Sequence, residues 1–115
     1  MARIFLVEDD VCTRLTLTAV LKTKSHEVVG TADNAPEATA GILSAKPDLC
    51  LVDVHLTGPG SGYDVAEFIL ERVGIPVVIM SGDDHPTLPV PFVLKPVTGK
   101  NLVLAIDRAL GTGGV

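Results

Sequence analysis

The stretch Arg3-Ile4-Phe5-Leu6-Val7-Glu8-Asp9-Asp10 decides the fold. An apolar run continues without alternation from Ile4 to Val7 and stops at three consecutive carboxylates. A strand buried on both faces reads as a continuous apolar run, whereas a strand with one wet face alternates. The segment therefore predicts an interior strand of a parallel sheet whose carboxyl end opens into an acidic turn. Beyond Asp10 the period changes. Val11, Leu15, Thr18 and Ala19 recur at helical spacing, and so do Leu17, Val20 and Leu21. Asp10 is a natural N-cap, and the helix fades near Lys24-Ser25.

The same unit recurs outward from this stretch. Residues 27–32 predict a second strand, and Asn34 with Pro36 marks a helix start. That helix carries Ala38, Ile42, Leu43 and Ala45 and stops at Lys46-Pro47. Residues 48–52 predict a third strand that ends in Asp53. A Gly58-Pro59-Gly60-Ser61-Gly62 loop leads to a helix over 63–72 with Val65, Ala66, Ile69 and Leu70 as its apolar stripe. Residues 75–80 predict a fourth strand ending in Ser81. The next stretch, 82–91, holds Pro86, Pro89 and Pro91 and is too short and too broken for a helix. Phe92-Val93-Leu94 is a minimal fifth strand ending in Lys95-Pro96. Leu102, Ile106, Ala109 and Leu110 define a last helix, which Gly111 stops, and Thr112-Gly113-Gly114 reads as a loose tail. Strict strand–helix alternation implies an α/β fold with a doubly wound parallel sheet.

Composition narrows the function. At 115 residues the chain has room for one domain. Fourteen Asp and Glu against nine Lys and Arg give a net charge of -5, which argues against direct nucleic-acid or anionic-membrane binding. There is no Trp to stack bases. No apolar run reaches the about 18 residues of a membrane span, and the first residues carry no secretory signal. Cys12 and Cys50 are too few for a disulfide framework, fit a reducing cytoplasm and read as small packing residues. His26, His55 and His85 are too dispersed for a zinc site.

In open α/β sheets ligands bind outside the carboxyl ends of the strands. Those ends carry Glu8 and Asp9, Asp53, Ser81 and Lys95. Two carboxylates about 4 Å apart repel by roughly 4 kcal/mol at an effective dielectric near 20, so a proton or a cation must sit among them. A hard divalent cation, Mg²⁺ or Mn²⁺, answers that need with one or two carboxylates plus other oxygens. One carboxylate is then free to attack phosphorus, and Asp53, at the end of a central strand, is the best placed. Lys95 can neutralise phosphoryl oxygens and Ser81 can donate to one of them, which is most of what phosphoryl transfer needs.

Val7-Glu8-Asp9-Asp10, the segment Pro47-Asp48-Leu49-Cys50-Leu51-Val52-Asp53-Val54-His55-Leu56, Met80-Ser81-Gly82 and Lys95-Pro96 together resemble the receiver domain of bacterial two-component response regulators. The resemblance covers essentially the whole chain. It implies a flavodoxin-like five-stranded sheet in order 2-1-3-4-5, with residues 1–115 as a single receiver domain and no output domain. It also implies phosphorylation of Asp53, metal binding through Glu8, Asp9, Asp53 and the His55 backbone carbonyl, a switch hydroxyl at Ser81 and a phosphate contact from Lys95. The Lys95–Pro96 peptide is expected to be cis, and Phe92 stands where the family carries an aromatic switch; a plain core residue is the alternative reading of Phe92. The implied partners are a histidine kinase or histidine phosphotransfer protein and a downstream protein target, with a homodimer left open. The protein is then a signalling phosphoacceptor that assists its own phosphorylation and dephosphorylation, not an enzyme acting on other substrates.

Three departures stand out. Glu8 replaces the more usual Asp, Thr57 stands where Pro is common, and the fourth helix of the family, between strands four and five, is expected to be reduced or missing. His55, two residues after Asp53, sits where its side chain can influence access of water. A haloacid-dehalogenase type phosphatase also uses a strand-end Asp, but it wants a second Asp where this chain has His55, and a cap domain that does not fit. The remaining alternative is a degenerate receiver acting as a phosphorylation-independent scaffold. The 58–62 loop lacks both Gly-x-Gly-x-x-Gly and Gly-Lys-Ser/Thr spacing, so it reads as a flexible loop and not a phosphate cradle.

Overall fold

The computed structural model describes residues 1–83 and 85–111. Its elements are β1 (Arg3–Val7), α1 (Val11–Thr23), β2 (Glu27–Ala32), α2 (Ala35–Ala45), β3 (Leu49–Asp53), α3 (Gly62–Phe68) continued by a π-helical turn (Ile69–Val73), β4 (Val77–Ser81), β5 (Phe92–Leu94) and α4 (Gly99–Leu110). All neighbouring strands are parallel, in the order β2-β1-β3-β4-β5. This is the flavodoxin-like arrangement. β3 and β4 are buried at every position and β1 at all but Arg3, as continuous apolar runs require.

Side chains alternate across the sheet and make two cores. Phe5, Val7, Cys50, Val52, Val77 and Ile79 pack with Ala38 and Ile42 of α2 and Val65 and Ala66 of α3. Ile4, Leu6, Leu49, Leu51, Val78 and Met80 pack with Leu17 and Leu21 of α1 and Leu102 and Ile106 of α4. Each helix starts at a side-chain cap. Asp10 accepts from the Thr13 N–H, Asn34 from Glu37, Ser61 from Asp64 and Thr98 from Asn101. The Arg3 guanidinium closes the other end of α2 by donating to the Ala45 and Lys46 carbonyls at 3.0 and 2.7 Å.

Several local expectations need correction. Of the two spacings in α1, only Leu17 and Leu21 are buried; Val11 and Leu15 are 54% and 65% exposed. Leu43 of α2 is exposed as well. The single helix over 63–72 is instead α3 plus a π-helical turn that ends at Gly74 in the left-handed region. The wider turn changes which residues face the sheet, so Ile69 stays buried while Leu70 turns outward. Cys12 is exposed and packs in no core, because its position on α1 lies off the Leu17–Leu21 stripe; Cys50 is buried. Burial pushes the Cys50 thiol up to about 12, so it is inert.

Among the described residues no helix connects β4 to β5. The consequence is visible on β5: Val93 is buried against α4, whereas Phe92 and Leu94 are 37% and 45% exposed. Phe92 is therefore not a core residue. Gly111 ends α4 in the left-handed conformation, and the tail residues Thr112-Gly113-Gly114 lie outside the described residues. No described helix is long and apolar enough to cross a membrane.

Candidate functional site

The parallel register aligns the strand ends. Val7 pairs with Val52, Asp53 with Met80 and Ser81 with Leu94. Glu8 follows β1, Asp53 and Ser81 close β3 and β4, and Lys95 follows β5. Carboxylate oxygens of Glu8, Asp9 and Asp53 lie within 4.8 Å of one another. Glu8 and Asp53 are each 2% exposed, and Asp9 is half-buried.

Both Asp53 oxygens are held. Lys95 Nζ donates to Oδ2 at 2.8 Å, from a side chain that keeps 34% exposure. The His55 backbone N–H donates to Oδ1 at 3.1 Å, while the His55 side chain is exposed. Glu8 is less well provided for. Its Oε2 accepts the Asp10 N–H at 3.2 Å, but Oε1 is buried with no partner. Burial in the first place, and the adjacent Asp53 carboxyl in the second, push the Glu8 carboxyl up to about 7. An orphaned buried carboxylate oxygen beside two further carboxylates is a donor set that fits a hard divalent cation. Glu8, Asp9 and Asp53 are the side chains that can hold it.

Ser81 is buried at the end of β4, and its Oγ accepts the Asp83 N–H at 3.0 Å. The Lys95–Pro96 peptide is cis. Phe92, the first residue of β5, is exposed.

The glycine-rich loop has a structural task. Gly62 donates its N–H to the Val54 carbonyl at 3.1 Å, and a Cβ at position 62 would fall 1.8 Å from the Asp53 carbonyl oxygen. Only glycine lets α3 begin directly against the end of β3, which fixes the backbone of Asp53 from behind. The Ser61–Asp64 capping box secures this start.

Two features escaped the sequence. Arg14 of α1 reaches back to the site, where its guanidinium donates to the Glu8 backbone carbonyl at 2.9 Å. Its distance of six residues from Glu8 matches neither a helical nor a strand period, so no pattern announces it. Beside Lys95 runs a groove of about 620 Å³ between α1 (Cys12, Thr13, Thr16, Leu17) and Lys95-Pro96-Val97. Residues from opposite ends of the chain form it.

Comparison with known proteins agrees with this geometry. Residues 4–107 match the response regulator receiver domain model. Protein PilH of Pseudomonas aeruginosa is 30% identical over 121 residues, covering 96% of this chain and 98% of that protein. Transcriptional regulatory protein PdtaR of Mycobacterium tuberculosis is 27% identical over 116 residues; the match covers 94% of this chain but only 56% of that relative. The crystal structure of the response regulator PhyR from Brucella abortus superposes with a TM-score of 0.86 at 27% identity, over 96% of this chain and 48% of that one. The signal receiver domain of a modulated diguanylate cyclase from Desulfovibrio desulfuricans G20 shares the fold, with a TM-score of 0.88 at 24% identity, over 96% and 94% of the two chains. With the sheet order, the acidic edge and a family match over nearly its whole length, the chain belongs to the response regulator receiver domains of two-component signalling.

Proposed function

We propose that the protein takes a phosphoryl group onto Asp53 from a phosphohistidine of a histidine kinase or histidine phosphotransfer protein. The observation that carries this reading is the buried Asp53 carboxylate, ion-paired to Lys95 within an otherwise over-acidic strand edge. An Asp53 oxygen attacks phosphorus, the P–N bond of the donor breaks, and the departing imidazole nitrogen keeps the electron pair. Lys95, already 2.8 Å from Oδ2, moves its charge onto a phosphoryl oxygen. The His55 N–H holds the other carboxylate oxygen, so the attacking one keeps its direction. Ser81 gives up the Asp83 N–H and donates its hydroxyl to a second phosphoryl oxygen, and Phe92 follows toward the space this leaves.

Glu8, Asp9, Asp53 and the His55 carbonyl would hold Mg²⁺ or Mn²⁺, which when bound would supply charge neutralisation for the transferring group. The donor docks over α1, whose Val11 and Leu15 are exposed apolar side chains. The domain passes its signal on through protein contacts or by onward transfer of the phosphoryl group. A full shift from 1:99 to 99:1 needs about 5.5 kcal/mol of differential stabilisation, a demand that several charge-assisted contacts can meet.

Incubation with acetyl phosphate and Mg²⁺, followed by intact-mass measurement, tests the reading. One added phosphoryl group is expected on the wild type and none on Asp53→Asn. An adduct that survives in Asp53→Asn, or no adduct on the wild type, sinks it. Repeated turnover of a small phosphoester would point instead to a phosphatase.

A further inference from the structure

We infer that Arg14 is a positioning residue for the metal-binding carboxylates, acting through the Glu8–Asp9 peptide unit; the inference rests on the proposed cation site. The acidic turn carries two of the three clustered carboxylates, and its backbone leaves the sheet at Glu8. The Glu8 N–H is still part of the ladder, donating to the Ala32 carbonyl at 3.0 Å. The Glu8 carbonyl is satisfied by the guanidinium of Arg14, at 2.9 Å and half-buried.

That carbonyl belongs to the peptide plane that leads into Asp9. Holding both sides of Glu8 fixes its backbone dihedrals, and with them the directions in which the Glu8 and Asp9 side chains leave the chain. Arg14 is itself fixed in the first turns of α1, where its N–H donates to the Asp10 carbonyl and its carbonyl accepts the Thr18 hydroxyl. Asp10 caps the same helix through the Thr13 N–H. The helix thus serves as a rigid arm, with Arg14 as its clamp on the acidic turn. Groups that orient metal ligands without touching the metal are worth about 10- to 100-fold in affinity.

Charge alone predicts the opposite. Arg14 is a cation close to a cation site, so if it acted only through its field, removing it would strengthen Mg²⁺ binding. The sign of the effect therefore separates positioning from electrostatics. The experiment is an Mg²⁺ titration followed by the backbone amide resonances of Asp9, Asp53 and His55 in the wild type, Arg14→Ala and Arg14→Lys.

Binding about tenfold weaker in Arg14→Ala, with Arg14→Lys in between, is the expected result. Equal or tighter binding by Arg14→Ala overturns the inference while leaving the metal site standing. If Arg14→Ala does not fold, Arg14→Lys decides, because it keeps the charge and loses the planar fork. Weakened binding then supports the clamp and wild-type affinity overturns it. A wild type with no saturable Mg²⁺ response removes the cation site itself, and the inference with it.

Discussion

At the scale of single residues, the site is governed by one poorly satisfied group. Glu8 has an oxygen with neither solvent nor partner, and its carboxyl is pushed from an ordinary 4.5 to about 7 by burial and by the neighbouring Asp53. Between those two values the folded chain binds more protons at Glu8 than the unfolded chain does, so this group's contribution to stability falls as pH rises through the window. Metal-free protein should therefore lose thermal stability between about pH 5 and about pH 7.5, and Glu8→Gln should flatten that slope. Mg²⁺ should reverse the loss most at the upper end, where the carboxylate is charged. Melting curves in chelator and in excess Mg²⁺ across this range check it; a slope unchanged in Glu8→Gln would remove Glu8 as the cause.

At the scale of elements, the site depends on how closely α3 approaches β3. Gly62 sits so near the Asp53 carbonyl that a methyl group cannot be placed there without moving one of the two backbones. Gly62→Ala is expected to cost about 1–3 kcal/mol, the range for forced overpacking, measured by urea unfolding. Because the displaced backbone is that of Asp53, the His55 N–H contact to Oδ1 should shift with it, visible in the His55 amide resonance. A variant of wild-type stability with an unmoved His55 amide would show that the close approach carries no weight. The Ser61 cap beside it was not read in advance, but two other helix starts were legible. Asp10, Asn34 and the Pro36 behind it marked helix starts, because a capping oxygen and the residues it serves lie within three positions. The π-helical turn was not legible, since Ile69-Leu70 continues an acceptable α-helical stripe, and only packing against the sheet chooses the wider turn.

At the scale of the whole molecule, no helix among the described residues joins β4 to β5, and Phe92 and Leu94 of β5 stay exposed. Phe92, an aromatic on a strand, would be expected to anchor a core. Here its removal should matter little. Phe92→Ala is expected to change stability by no more than about 0.5 kcal/mol, as for other surface positions. Leu102→Ala, on the helix that covers the opposite face of β5, should cost about 2–5 kcal/mol. Denaturant unfolding of the pair gives the comparison; a large loss from Phe92→Ala would mean that the described crossover leaves Phe92 better covered than its exposure indicates.

By itself the sequence determined the strands, their parallel arrangement and the identities of the residues at their ends. Buried parallel strands must be continuously apolar, and the runs of β1, β3, β4 and β5 end abruptly at Glu8, Asp53, Ser81 and Lys95. The three prolines after Gly82 argued for an equally local reason against a helix there, and none is found among the described residues. Only the tertiary structure decided which face of α1 is buried. Two spacings of apolar residues were present, and the sheet accepted Leu17 and Leu21, leaving Val11, Cys12 and Leu15 to solvent. Only the tertiary structure brought the Arg14 guanidinium onto the Glu8 carbonyl and left Glu8 Oε1 without a partner. Local periodicity reports what one segment must bury. Which side chains meet across segments depends on strand register and helix rotation, which are set when all the elements pack together.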